Sequence, residues 1–99
     1  QVFLHIGDEA LRPLGAAVAR ELAAHGLQPM GIENVAGTTG VPDRTQVRYF
    51  NDADKGAADA VVAALQARGV AVTASSRLAG LKARPGTVEI WFGKDVPSP

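Results

Sequence analysis

Hydrophobic and polar positions alternate most regularly between residues 44 and 50, where the chain reads Arg-Thr-Gln-Val-Arg-Tyr-Phe. β-Branched and aromatic residues favour strands, and successive strand side chains point to opposite faces. Val47 and Tyr49 therefore share one face, while Arg48 and Phe50 share the other. This pattern predicts a central strand with one face for a core and a second face that carries an aromatic ring and a cation.

Similar alternation predicts further strands on either side of this one. They cover residues 2–6, 30–35 and 87–92, with a short extra strand at 70–73. In the second of these, Met30 and Ile32 are expected to face the core. The turn-rich connection before residue 44 suggests that the two strands it joins pair as a long-looped hairpin. The segment after residue 74 is interpreted as a loop with a modest excess of basic residues.

Apolar residues that recur at spacings of three and four predict two helices. The first is expected over residues 12–25 and the second over residues 53–68. Pro13 is tolerated at the start of a helix but not in its interior, so the residues before it are expected to form a separate turn. Gly26 and Gly69 follow the two helices and are typical terminators.

The elements follow the order strand, helix, strand, strand, helix, strand, with the short extra strand before the last. This is the order of the split βαβ, or ferredoxin-like, fold, which is an α+β two-layer sandwich. It predicts an antiparallel sheet with both helices on one face and the other face open to solvent or to a partner. No internal repeat of fixed period is evident in the sequence.

Composition narrows the possible functions. The 99 residues are interpreted as a single domain, excised from a larger bacterial protein, and ten Lys and Arg balance ten Asp and Glu. A net charge of zero disfavours general nucleic-acid binding and attraction to anionic membranes. No apolar run is long enough to span a bilayer, so no membrane insertion is expected. The absence of cysteine excludes disulfides, thiol catalysis and zinc knuckles. No feature assigns a cellular compartment.

The second face of the predicted sheet is the main candidate for a binding site. Exposed aromatic rings on a sheet stack on bases or sugars, or anchor protein interfaces. Two other interpretations are that this face packs on a missing neighbouring domain, or that a bulge exchanges the two faces. The alternation assigns to this face three of the five aromatic residues of the chain, together with charged and polar ones: Phe3, His5, Glu33, Arg48, Phe50, Glu89 and Trp91.

Motifs for catalysis or metal binding have little support. His5 with Asp8 and Glu9 is a weak set of metal ligands that straddles the end of a strand. The Gly-Thr-Thr-Gly sequence at 37–40 has no following lysine and opens no helix, so it does not match a phosphate loop. The serines at 75–76 have no base at a recognisable spacing. We therefore predict no catalytic residue, no metal and no cofactor.

Two segments resemble bacterial accessory modules: residues 31–35 (Gly-Ile-Glu-Asn-Val) and residues 47–50 (Val-Arg-Tyr-Phe). One such module is the LytR C-terminal-type domain, with a similar strand, an alanine-rich helix ending in glycine and a Val-Arg-Tyr segment. It has no well-defined activity to carry over. The other is the SPOR domain, which has the same βαββαβ order but whose diagnostic signature this chain lacks. That resemblance implies binding of peptidoglycan glycan strands on the open sheet face, here by Phe3, Phe50 or Trp91.

We therefore expect a non-catalytic binding module that recognises a protein, a peptide or a cell-wall glycan, with other domains of the parent chain as neighbours. An RNA-binding sheet of the RRM kind is the alternative that the sheet order suggests. The zero net charge and the lack of a basic RNP-like segment count against it. A small acylphosphatase-like enzyme would need an arginine and an asparagine around a phosphate. Arg48 and Asn34 are available, but no loop matches.

Overall fold

The computed structural model describes residues 1–37 and 40–96. Within these ranges five strands form one sheet in the order β2-β1-β5-β3-β4. Two α-helices contact each other and pack on the same face of the sheet, around a shared core. The elements are β1 (Val2–Ile6), α1 (Arg12–Ala24), β2 (Pro29–Asn34), β3 (Gln46–Tyr49), α2 (Lys55–Ala67), β4 (Ser75–Arg77) and β5 (Val88–Trp91).

The α+β class is confirmed, but the predicted ferredoxin-like antiparallel sheet is wrong. β1 runs parallel to both β2 and β5, β3 runs parallel to β4, and β3 and β5 are antiparallel. The predicted hairpin between β2 and β3 does not form, because β1 and β5 lie between these strands. The physical reason is that each helix returns the chain to a parallel neighbour, which is the connection that parallel strands require.

The chain folds as two βαβ units related by 43 positions, a repeat that the sequence analysis missed. α1 begins at residue 12 and α2 at residue 55, and a 3₁₀ turn precedes each of them. Leu4 pairs with Ile32 in the first unit, and Val47 pairs with Ser75 in the second, so the strand register repeats as well. Ile90 of β5 lies opposite both Leu4 and Val47. The two units are therefore arranged with approximate twofold symmetry about β5.

The helix boundaries follow this repeat. Leu22 in α1 and Leu65 in α2, 43 positions apart, are both fully buried. Gly26 and Gly69 follow the two helices with φ angles of 78° and 75°, a conformation that glycine adopts without a steric penalty. The predicted terminators are thus confirmed, and Pro13 lies in the first turn of α1, as expected.

The core lies between the two helices and one face of the sheet. Burial alternates along β1 and β5, so every second side chain of these strands enters the core. The helices contribute a matching apolar stripe. The largest side chains that are fully buried come from both layers: Phe92, Leu4, Ile6, Leu22, Leu65, Ile90, Val2, Val18, Val47, Val61 and Val88.

The edge strand β2 departs from the predicted pattern. Met30, expected in the core, is 43% exposed, and Ile32 is only partly buried against the core. The pairing of β1 with β2 shifts register between Val2 and Phe3, and Gly31 opposite Phe3 has a φ of 143°. Such an irregularity redirects the neighbouring side chains, which explains why the simple alternation fails here.

The short extra strand lies further along the chain than predicted. Val70 and Val72 are buried in the core, which accounts for the apolar alternation at 70–73. Pairing with β3 begins only at Ser75, within the segment that was interpreted as a loop. The buried residues of this segment, Val70 and Val72, therefore lie a few positions before the residues that pair with β3.

Candidate functional site

The sheet face opposite the helices, called the open face below, is centred on three stacked side chains. The imidazole of His5 and the indole of Trp91 are stacked with ring centroids 4.2 Å apart and an angle of 15° between their planes. The Cζ atom of Arg48 lies 4.5 Å from the centroid of the Trp91 ring. Because β5 lies between β1 and β3, His5 and Arg48 approach the indole from opposite sides. We call these three residues the Trp91 stack.

Hydrogen bonds fix the orientation of the Trp91 stack. Trp91 Nε1 donates to Glu89 Oε1 at 2.9 Å, and Arg48 Nε donates to Gln46 Oε1 at 2.8 Å. Arg48 is opposite Glu89 in the strand register, yet its guanidinium lies over the indole and forms no ion pair with Glu89. A cation over a tryptophan face is attracted by the ring quadrupole, so this arrangement stabilises both side chains.

The strand order brings the three residues of the stack together. His5 and Arg48 are 43 positions apart and occupy equivalent places in the two βαβ units, on β1 and β3. Both strands flank β5, where His5 lies directly opposite Trp91 and Arg48 lies opposite Glu89, so the Arg48 side chain reaches the indole diagonally across the sheet. The alternation along the strands correctly placed the three residues on one face, but only the strand order brings them into contact.

His5 is held between two carboxylates without a hydrogen bond. Its Nδ1 lies 3.9 Å from Glu33 Oε2 and its Nε2 lies 3.9 Å from Glu89 Oε2. Both ring nitrogens are buried and lack a hydrogen-bond partner in the part of the chain that the structure describes. Burial lowers the pKa of His5 below its ordinary value of 6.5; the two carboxylates oppose this shift and Arg48 adds to it. Burial therefore favours the neutral form of this imidazole.

The weak metal set considered from the sequence is not assembled. Asp8 caps the turn before α1 by accepting a hydrogen bond from Ala10 N at 2.9 Å. Glu9 accepts hydrogen bonds from Arg12 and Asn34, which lower its pKa to about 2. Among residues 1–37 and 40–96, no group of three or more His, Asp and Glu side chains is arranged to hold a metal ion.

The remaining predicted site residues lie at the margins of the open face. Phe3 is half-buried and lines a shallow depression with Met30 and Glu33, whose side chain is 70% exposed. Phe50 is only 8% exposed, so it does not offer the open ring expected for stacking. Apart from Glu89, the residues predicted for this face thus form three groups: the Trp91 stack at the centre, Phe3 and Glu33 on one side of it, and Phe50 on the other.

Phe50 is buried because the segment after β4 folds back beside it. Leu78 N donates to Tyr49 O at 2.9 Å, and Asn51 Nδ2 donates to Ala83 O at 3.3 Å. The segment 78–83 therefore forms a wall next to the end of β3 rather than a free loop. Sequence reasoning missed this wall. The available signal was the pair of leucines, Leu78 and Leu81, in a segment of otherwise polar or small residues.

A cleft of about 620 Å³ lies between this wall and the Trp91 stack. We call it the Phe50 cleft. Its apolar surface adjoins two cationic side chains, and Leu81 on its rim is 59% exposed. Its lining includes Pro42, Arg48, Phe50, Leu81, Lys82 and Trp91.

The open face lacks the geometry for two of the alternatives. Asn34 and Arg48 lie on strands separated by two others, about 14 Å at the usual strand spacing. Asn34 also uses its side chain to bind Glu9 and Ala36 N, so no arginine–asparagine phosphate cradle is formed. Both faces of the Trp91 ring are covered, which leaves no platform on this ring for a stacked base.

A family model described as LytR cell envelope-related transcriptional attenuator matches residues 12–95. The chain belongs to this family. It is a LytR C-terminal-type domain of a bacterial protein, and the resemblance noted in the sequence is confirmed. The match includes Glu33, Arg48, Phe50 and Trp91, whereas Phe3 and His5 precede it. No curated protein and no solved structure matches the chain significantly.

The family description, a cell envelope-related transcriptional attenuator, is that of a regulatory domain. This agrees with the coarser part of the functional expectation, a non-catalytic accessory domain. None of the helices in the described part of this LytR C-terminal-type domain is both long and apolar enough to cross a membrane.

Proposed function

We propose that this LytR C-terminal-type domain is a non-catalytic binding module that holds a protein, a peptide or a cell-wall glycan on its open face. The observation that carries the proposal is the Trp91 stack, a half-buried group of an indole, an imidazole and a guanidinium on the sheet face that neither α1 nor α2 covers. Tryptophan and arginine are enriched at the energetic centres of interfaces.

The way the stack is held supports this assignment. His5 and Arg48 restrain the indole from both sides, and Glu89 fixes its ring nitrogen. Side chains that are ordered before binding lose less conformational entropy when a partner arrives. The stack therefore presents the edge of the Trp91 indole and the Arg48 guanidinium in positions that are fixed before a partner binds.

An RNA-binding sheet has less support. The RRM mode requires open aromatic faces on which bases stack, and neither Trp91 nor Phe50 offers one. The chain also has no net positive charge to attract phosphates. Single-stranded RNA is accordingly the comparison ligand in the test below.

The test is binding by the double variant Trp91→Leu with Arg48→Gln. Cosedimentation with peptidoglycan, and calorimetric titration with soluble muropeptides, acidic peptides and single-stranded RNA, compare it with the unaltered domain. We expect the unaltered domain to bind one of these ligands other than RNA. The double variant should bind it at least about tenfold more weakly, because each lost hot-spot side chain contributes roughly 1–2 kcal/mol or more.

A matched control removes a cation from the helix layer, on the other side of the sheet. Arg20 is exposed on α1, so Arg20→Gln should leave binding unchanged. Circular dichroism and thermal melting verify that each variant is folded. Undiminished binding by the folded double variant, or equal losses in the double variant and the control, would contradict the proposed use of the open face.

A further inference from the structure

Ion pairs join half of the Lys, Arg, Asp and Glu side chains of the chain. Within the described ranges, five carboxylates have no Lys or Arg partner: Asp8, Glu33, Asp54, Glu89 and Asp95. Five cationic side chains likewise have no carboxylate partner there. These are Arg20, Arg44, Arg48, Lys82 and Arg84.

Two of these unpaired cations line the Phe50 cleft. Arg48 lies on its sheet side and Lys82 on the wall formed by segment 78–83, with Arg84 two positions further along the chain. The carboxylate in the lining is Glu89, which accepts the hydrogen bond of Trp91 and faces His5. Glu89 has no Lys or Arg partner among the described residues, so the lining carries one negative charge against two positive ones, and this excess of one positive charge favours an anionic ligand.

Arg48 is positioned to bind a carboxylate. Its Nε is occupied by Gln46, while its two Nη atoms have no hydrogen-bond partner in residues 1–37 and 40–96. The indole restrains the guanidinium plane. A planar guanidinium with both terminal nitrogens available matches a carboxylate through two parallel hydrogen bonds.

The remainder of the cleft is apolar. Pro42, Phe50 and Leu81 surround the space next to the two cations, and its volume of about 620 Å³ falls within the range of pockets that enclose small ligands. Leu81 is an exposed apolar residue at the rim. A ligand that fits this arrangement combines an apolar group with a neighbouring carboxylate.

We propose that the Phe50 cleft binds an acidic peptide segment. An apolar side chain of the peptide contacts Pro42 and Leu81, and an adjacent carboxylate binds Arg48 and Lys82. A peptide fits better than a glycan, because saccharides need an open aromatic face and the rings of Trp91 and Phe50 are covered. This inference rests on the proposed function and names the ligand class and the part of the open face that selects it.

The test uses three five-residue peptides with blocked termini and a fluorescent label. One has a central leucine flanked by glutamates, the second replaces the glutamates by glutamines, and the third replaces the leucine by serine. We expect fluorescence anisotropy to show binding of the first peptide. The second and third should each bind about tenfold more weakly, the loss expected when a charged hydrogen bond or a buried leucine is removed.

Protein variants locate the site. Lys82→Gln and Leu81→Ser change exposed residues outside the Trp91 stack and should each weaken binding of the first peptide about tenfold. Arg20→Gln removes the same charge as Lys82→Gln on the helix side and should have no effect. Binding of the first peptide should also weaken as salt concentration rises.

Equal affinity for the glutamate and glutamine peptides, no binding of any peptide, or unchanged affinity of Lys82→Gln and Leu81→Ser would each overturn this inference. Peptidoglycan or muropeptide binding that is lost with Trp91→Leu and Arg48→Gln but not with the two cleft variants would overturn it as well. That last result would leave the proposed function in place. A domain that binds none of the ligands in either test would contradict both.

Discussion

The two faces of the sheet use the same strands but are held together by different forces. On β1 and β5 the side chains that face the helices are aliphatic and at most 1% exposed. Their neighbours on the open face are half-buried and are held by ring stacking, a cation–π contact and hydrogen bonds. The helix-covered face therefore supplies most of the stability. We expect substitutions on the open face to lower the free energy of unfolding less.

Substitutions at adjacent residues of β5 test this contrast, and the largest effect is expected on the core side. Ile90 is fully buried and lies opposite Leu4 and Val47 at the centre of the sheet. Ile90→Ala should lower the free energy of unfolding by about 3 kcal/mol, since it removes buried methylene groups and leaves a cavity. Urea denaturation followed by circular dichroism measures the change.

The next residue should matter less for stability. Trp91→Leu removes the stacking and the cation–π contact but keeps an apolar side chain at a half-buried position. We expect the free energy of unfolding to fall by about 1 kcal/mol. If the same urea experiment gives Trp91→Leu a loss as large as that of Ile90→Ala, the open face is structural and the contrast between the faces fails.

The smallest effect is a pH dependence that belongs to the open face. The folded state holds the pKa of His5 below 6.5, so the unfolded state binds a proton more readily. The neutral imidazole is fully compatible with the fold above pH 6.5. Stability should fall as the pH drops from 6.5 towards the lower pKa of the folded state. Glu33, Glu89 and Arg48 are the charged groups that face this imidazole.

His5→Phe keeps a ring that can stack on Trp91 but cannot titrate. Unfolding free energies at pH 7.5 and pH 5.5 should therefore differ less for His5→Phe than for the unaltered domain. His25 is present in both proteins and serves as an internal control. Identical pH dependence in the two proteins would show that His5 is not the group that couples proton binding to folding.

Local features of the fold were predictable from the sequence, and the sheet order was not. The alternation of Val2, Leu4 and Ile6, and the glycines after each helix, depend on neighbouring residues and were interpreted correctly. The position of β5 between β1 and β3 depends on which strands each helix connects, and the sequence order is compatible with more than one sheet. The 43-residue repeat was missed because the aligned residues share size and burial more than identity.

The candidate site was predictable to a similar extent. Alternation assigned His5, Arg48 and Trp91 to one face, but their contacts follow from the strand order, which was predicted incorrectly. The burial of Phe50 depends on the distant segment 78–83, whose path the sequence pattern does not indicate.

The place of β5 also has a consequence for the order of events during synthesis. β5 follows the other four strands in the chain, yet it pairs with both β1 and β3 and joins the two βαβ units. During translation each unit can pair its own strands as it leaves the ribosome. Both keep an unpaired strand edge until β5 emerges, and chaperones or aggregation partners have access to these edges until then. The sheet can therefore be completed only after β5, which ends at Trp91, has been synthesised.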